Sequence, residues 1–567
     1  MSESSQVRAL MALVLTAALA AALASHLLPP RLFVASLVGL LGMAAVLHDY
    51  RLGVLALTLL LPWMYSPYMP HGRTLSLVNL FAVTTLAGWA LSHWRVAHLA
   101  AGGAVRGAIS GAIAGAIHGR TAQAPAQALQ PFQQAPKHPL QRALWLGYAL
   151  PIAWAGAMAY GHLGEAAANF PATAADFSAL NFTIDRLLRP MVFPLYAFLL
   201  AQAIRGAAQP ARFMGVALLG LSVAALLPAL LAAALVWVRD ADVTQRDSLM
   251  RPLGLHANEA GFLLAMAAVP MLAIALGRSS IRHRLAAGLT FAGVALGLLA
   301  TGTRGAVLAL LVSAGVLMLR RRRITDVLWL AAAGTALALL LPDTLAERLM
   351  LGWADIDATS ATNRADPLTQ GRLSGWALLA PEVLSSPWGA LVGHGLGSTA
   401  WMPATATGQF LYHHPHNLYL EILLDVGLLG LGLLGWAFWK AQGALRQLSL
   451  GEGFDPRLNT PGAQGLRLSD NPLVRDYLSG AHAALFGLLA MAFTNLHYLP
   501  CPEQTALWFA VGWVWALWRP APAEAPVRTT RPRASARSRV QARAAQSTAL
   551  KPPAPTAQEA IRHHRAA

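Results

Sequence analysis

Met214-Gly-Val-Ala-Leu-Leu-Gly-Leu-Ser-Val-Ala-Ala-Leu-Leu-Pro-Ala-Leu-Leu-Ala-Ala-Ala-Leu-Val-Trp-Val238 carries no charged side chain. As a helix it would be roughly 37 Å long, against a bilayer hydrocarbon core of about 30 Å. Its apolar residues fall on every face, so it has no polar side to turn to water and is predicted to span a membrane. Similar runs recur near 9–28, 31–47, 52–68, 75–92, 143–162, 187–206, 257–277, 286–303, 305–319, 327–341, 418–439, 479–497 and 505–518. The expected fold is an all-α polytopic membrane protein with about 12 to 14 transmembrane helices. Composition agrees: 56% of the 567 residues are hydrophobic and 12% are charged, about half the charge of a soluble domain. That argues against a cytosolic globular enzyme. A lone cysteine, Cys501, rules out an intramolecular disulfide and a thiolate metal cluster.

The net charge of +17 raises nucleic acid as a partner, but its distribution opposes that reading. With the N-terminus placed inside, 31 of the 42 basic residues fall in inward loops or the tail. This is the asymmetry that sets membrane topology. Basic clusters punctuated by spans fit membrane lipids as partners, with no nucleic acid, and place both termini in the cytoplasm.

The chain divides into N-terminal transmembrane helices (1–341), an outer loop (342–417), C-terminal transmembrane helices (418–518) and a basic tail (519–567). The inward loop 93–142 is Gly/Ala-rich and expected to be flexible, and the Pro/Ala/Arg-rich tail is expected to be disordered. The run near 9–28 follows Arg8 as a signal sequence would, but without a convincing cleavage site it is expected to remain as a first helix. Loop 342–417, between the third-last helix and the one before it, is long for a bundle connection and concentrates polar chemistry. Pro381, Pro387 and Pro403 should split it into short helices, with the stretch from Gly371 lying amphipathically over the bundle mouth.

The loop ends in Tyr412-His413-His414-Pro415-His416-Asn417 and runs into a span carrying Glu421, Asp425, Gly427 and Gly430. His416-Asn417, nine residues and Gly427-x-x-Gly430 together resemble the signature of the O-antigen ligase family and of its polymerase and protein O-oligosaccharyltransferase relatives. Thr301-Gly-Thr-Arg304-Gly-Ala306 is similar to that family's Ser/Thr-Arg-Gly element. Gly371-Arg372-Leu-x-x-Trp376, followed by Pro387-x-Gly389 and Gly393-x-Gly395, is similar to its loop element. The resemblance implies a bacterial inner-membrane glycosyltransferase with a periplasmic active site and no cofactor or metal. It would move a glycan from undecaprenyl diphosphate to a sugar hydroxyl of lipid A core.

Such a transfer needs a base for the acceptor proton and cations for the departing diphosphate. Histidine is neutral at working pH and suits the first task, and His416 is the candidate base. An isolated histidine there would more simply cap the next helix; the spacing to Gly427 and Gly430 favours function. His413, His414 and His416 could instead hold a metal, but Pro415 interrupts the helix that would space them. Arginine's fork of donors suits phosphate oxygens, making Arg304 and Arg372 the diphosphate candidates and Arg251 a weaker one. Snorkelling or a salt bridge is the simpler role for such arginines. His414, Asn417 and Glu421 complete the candidate substrate-binding set. Asn417, Glu421 and Asp425 form one helical stripe that should face the bundle interior, where Glu421 could orient or polarise the site near His416, and hydrogen bonds to partners such as Asn495 or His497 are the plainer role. Trp63, Trp401, Trp436 and Trp513 read as interfacial anchors.

No GxxxxGK[ST] loop is present, so nucleotide binding has no sequence support. Direct attack by the acceptor would invert the anomeric centre. An O-antigen polymerase or a protein O-oligosaccharyltransferase would differ mainly in acceptor. A lipid-linked oligosaccharide transporter would instead be expected to show internal repeats and broken midplane helices, neither of which is legible here.

Overall fold

The computed structural model describes residues 30–65, 78–95, 98, 139–237, 254–339, 342–350, 372–412, 414–459, 467–494 and 497–519. The run near 9–28, most of loop 93–142, Arg251, His413, Asn495 and the tail from 520 onward lie outside the described residues. Among the described residues the extended pairing is a single bridge between Phe454 and Trp518, and the rest of the regular structure is helical.

Among the described residues six helices are long and apolar enough to cross a membrane. They are Leu140–Asn169 (here α4), Ala179–Gly206 (α5), Pro210–Trp237 (α6), Ala257–Ala275 (α7), Ile281–Ala300 (α8) and Leu418–Leu450 (α14). Around them stand Pro30–His48 (α1), Tyr50–Leu60 (α2), 78–95 (α3), Arg304–Arg321 (α9), Ile324–Leu339 (α10), Pro472–Met491 (α15) and Thr505–Leu517 (α16). The loop between α10 and α14 contributes Asp343–Met350 (α11), Arg372–Val383 (α12) and Pro387–Val392 (α13).

Helix α7 is the axis of the bundle: 94% of its spanning window is buried, against 39% to 56% for the other five. Helices α8, α9 and α15 pack around it, with α6 against α8. Small residues allow this closeness, as expected where lipid removes the hydrophobic drive between helices. A Cβ on Gly480 would stand 2.5 Å from the Pro270 Cα of α7, and one on Gly487 would stand 2.4 Å from the Ala309 carbonyl of α9.

Three arginines of the predicted inward loops sit at one end of the bundle, on the last carbonyls of its helices. Arg51 donates to the Gly206 carbonyl at the end of α5, Arg205 to Trp515 and Ala516 at the end of α16, and Arg321 to Leu276 after α7. Helix C-termini carry partial negative charge and unpaired carbonyls, so cations are stabilising there. Asp476 of α15 takes the backbone N–H groups of Arg278 at 2.9 Å and Ser279 at 3.1 Å, fastening the α7–α8 turn at the same end.

Several sequence expectations need correction. Pro381 does not split the loop but sits inside α12; Pro387 and Pro403 do begin short helices. The run 479–497 is a helix only to Met491, and the chain from 492 to 504 is a connection of its own. Helix α14 is not continuous, because Gly427 has φ 68° and ψ −170°. Trp513 is fully buried rather than interfacial.

Candidate functional site

The site lies at the end opposite the arginine caps, where α7, α9, α12 and α14 all begin. Asn417 is the N-cap of α14, its Oδ1 accepting the Leu420 N–H at 3.1 Å. One residue earlier His416 has φ +53°, a left-handed backbone uncommon outside glycine and typical of sites where geometry overrides local preference. The chain reverses there, bringing the His414 and His416 rings to 3.7 Å between centroids, with Tyr412 edge-on to His416 at 5.4 Å. Trp376 of α12 donates to the Pro415 carbonyl at 2.8 Å and pins this turn.

Three of the starting helices converge on the connection after α15. Leu418 N–H of α14 donates to the Ala492 carbonyl at 2.8 Å, and Arg372 at the start of α12 donates to the Thr494 carbonyl. Gly305, next to Arg304 at the start of α9, packs so closely that a Cβ on it would stand 2.3 Å from Thr494 Oγ1. The turn before Arg304 is fixed to α7, with Thr303 Oγ1 donating to the Ala257 carbonyl at 3.1 Å. Arg304, Arg372 and His416 therefore belong to elements seated on one short connection. Helix N-termini carry partial positive charge, so this end is suited to an anion.

Glu421 and Asp425, on the predicted interior stripe, are both buried but do different things. Asp425 accepts from the Gly397 N–H at 2.9 Å, the Ser398 N–H at 3.0 Å, Ser398 Oγ at 2.8 Å and Tyr498 Oη at 3.1 Å. It holds the loop after α13 against α14. The break at Gly427 frees the carbonyls of Leu424 and Asp425, and the N–H groups of His394 and Gly395 take them at 2.7 and 3.1 Å. A backbone interruption in a spanning helix is tolerated when other backbone supplies the missing partners. Glu421 instead meets His497, whose Nδ1 lies 3.0 Å from Oε1 and 3.2 Å from Oε2.

His497 belongs to the 492–504 connection. Burial pulls its pKa down, but the Glu421 carboxylate and the hydrogen bond to it prevail and push it up to about 9. Nearby Glu503 is raised to about 7, first by burial and then by the Glu259 carboxylate. The His497 ring stands edge-on to His414 at 4.7 Å.

Two cavities flank this array. One of about 220 Å³ is almost wholly apolar and runs between α14, α15 and α16, past Tyr419, Leu434, Phe438, Leu489 and Val511, with His497 and Tyr498 at its border. The other, about 80 Å³, is more polar and is bordered by Asp176, Arg186, Trp401, His414, Glu421 and Asp425. Trp401 stacks on His162 at 5.2 Å and forms part of the wall of the polar cavity.

The structure thus seats the elements that carry Arg304, Arg372, His414, His416, Asn417 and Glu421 at one end of the bundle, while Arg251 lies outside the described residues. Among the described residues no group of three or more His, Cys, Asp or Glu is arranged to hold a metal ion. Sequence reading missed the 492–504 connection as a hub and gave His497 no more than a helix-packing role. The visible signal was Thr494-Asn-Leu-His497-Tyr-Leu-Pro500-Cys-Pro502, where prolines and polar residues interrupt an apolar run.

Residues 286–435 match the family model described as O-antigen ligase. This segment contains the Arg304 turn, the loop with Arg372, the His416-Asn417 pair and the Gly427 break. No curated protein matches the chain.

Proposed function

Taking the O-antigen ligase match as premise, we propose that this protein is an inverting glycosyltransferase of the bacterial inner membrane. It transfers a polysaccharide from undecaprenyl diphosphate to a sugar hydroxyl of lipid A core at the periplasmic face. The shorter apolar helices complete a bundle of about 12 to 14 spans. The observation that carries the reading is the seating of the Arg304, Arg372 and His416 elements on one connection, Ala492–Thr494, at the end where several helices begin.

In this mechanism Arg304 and Arg372 hold the diphosphate, helped by the helix N-termini, and the polyprenyl tail enters laterally between helices, its first units by the apolar cavity bordered by His497. The acceptor hydroxyl bonds to the anomeric carbon from the opposite face as the carbon–oxygen bond to the diphosphate breaks. The electron pair of that bond leaves on the diphosphate, and His416 takes the hydroxyl proton. No nucleotide is needed, because the donor is already activated.

The test is transfer in detergent by purified protein given undecaprenyl-diphosphate-linked glycan with lipid A core as acceptor. Pilin-like protein and unextended donor are offered in parallel. Product on lipid A core supports the ligase reading, product in only one parallel reaction reassigns the acceptor, and intact donor in all of them removes the enzyme. Arg372→Lys and Arg304→Lys keep the charge but lose the planar fork. Each should lower kcat/KM by about ten- to hundredfold, mainly through weaker hold on the donor. Unchanged donor kinetics would take that arginine off the diphosphate.

A further inference from the structure

Glu421 is a buried carboxylate in the first turn of a spanning helix, where such a group is held by a partner. Its partner His497 is fixed twice, by Glu421 at the ring and by Gln504, whose Nε2 donates to the His497 carbonyl at 2.7 Å. This anchored imidazole contacts His414, which contacts His416. A pair serving only helix packing would have no reason to end on that array.

We propose that Glu421 and His497 are a positioning pair: Glu421 anchors His497, and His497 sets the orientation and proton occupancy of His414 and, through it, of His416. The inference rests on the transferase reading for what His416 does.

The groups acting on His497 are Glu421 of α14 and Glu503 of the connection, which favour its charge, and Arg186 of α5, which opposes it; the His414 ring lies against it. At neutral pH His497 is a cation. A cation beside His414 disfavours a second proton on the neighbouring rings, which keeps His416 neutral and able to accept the hydroxyl proton. After transfer the same repulsion drives that proton from His416 to solvent. Because the pKa is raised, the His497 charge is complete below its ordinary value near 6.5 and is lost as pH rises through about 9. Removing the Glu421 charge leaves burial and Arg186 opposed only by Glu503 and moves that loss downward.

The experiment uses the full chain in detergent, comparing wild type with Glu421→Gln and Glu421→Asp. Two readouts are taken: the pH dependence of glycan transfer, and histidine titration by NMR, assigned with His414→Gln, His416→Gln and His497→Gln. In wild type the His497 titration should centre near pH 9, and the acid limb of kcat should follow protonation of the His414 and His416 rings beside it. In Glu421→Gln the His497 titration should move down by more than one pH unit, the acid limb of kcat should move up, kcat at neutral pH should fall about tenfold with donor KM nearly unchanged, and His414 should gain proton affinity. Glu421→Asp should restore part of each shift. A Glu421→Gln protein that only loses thermal stability, with its pH profile and the His414 and His416 titrations unmoved, would overturn the inference. Wild type that transfers glycan to no acceptor would sink the transferase reading, while the His414 titration would still decide the pair.

Discussion

Purified His416→Ala protein should bind the lipid-diphosphate donor as wild type does and transfer glycan at least about a hundredfold more slowly, within the range general-base removal costs. The expectation follows from the place of His416 at the left-handed turn before α14, with its ring against His414. Alanine at φ +53° removes the base and also fits that backbone poorly, so a loss by itself would be ambiguous. Asparagine tolerates the left-handed region better than most residues. His416→Asn should therefore keep the turn, the donor affinity and the thermal transition of wild type while remaining as inactive as the alanine variant. Transfer by His416→Asn within tenfold of wild type would remove His416 as the base and leave substrate-assisted attack as the alternative.

The second large effect is expected on stability. Gly427→Ala should lower the thermal transition of the detergent-solubilised protein sharply or prevent its accumulation. Gly427 (φ 68°, ψ −170°) and Gly393 (φ 83°, ψ −174°) occupy a region open essentially to glycine alone, at a cost of about 1–3 kcal/mol for any other residue. Space adds to the strain. A Cβ on Gly427 would stand 2.5 Å from the Gly393 N, and one on Gly393 would stand 2.2 Å from the Asp425 carbonyl. Both contacts are to backbone, which cannot swing aside. Forcing them apart would also break the bonds from His394 and Gly395 to the freed carbonyls of α14, leaving polar groups unpaired inside the membrane. Gly435, further along α14, has nothing within 4 Å of its Cβ position. Gly435→Ala should be tolerated and serves as the control; equal stability of the two variants would show that the break carries no structural weight.

Sequence determined the class of fold through two simple quantities, the length of its apolar runs and the side on which its basic residues fall. Both can be read along the chain: a charge-free helix longer than the hydrocarbon core has one comfortable environment, and basic residues collect on one side of it, whereas the carbonyls that Arg51, Arg205 and Arg321 cap lie 155, 310 and 45 residues away and were set by packing. The interior direction of the Asn417, Glu421 and Asp425 stripe was legible for the same reason, since spacing fixes a helical face and a carboxylate is costly toward lipid. What that stripe meets was not legible. The His497 that pairs with Glu421 lies 76 residues away, and the Gly397 and Ser398 that Asp425 holds lie 28 and 27 residues away on the other side. Neither distance has a period that a single chain displays. Gly427 stood out in the sequence as part of the Gly427-x-x-Gly430 signature, but the break there was not legible, because its conformation is set by the loop bonded across it. Tertiary structure alone decided which polar groups face one another, since that choice depends on packing among distant helices.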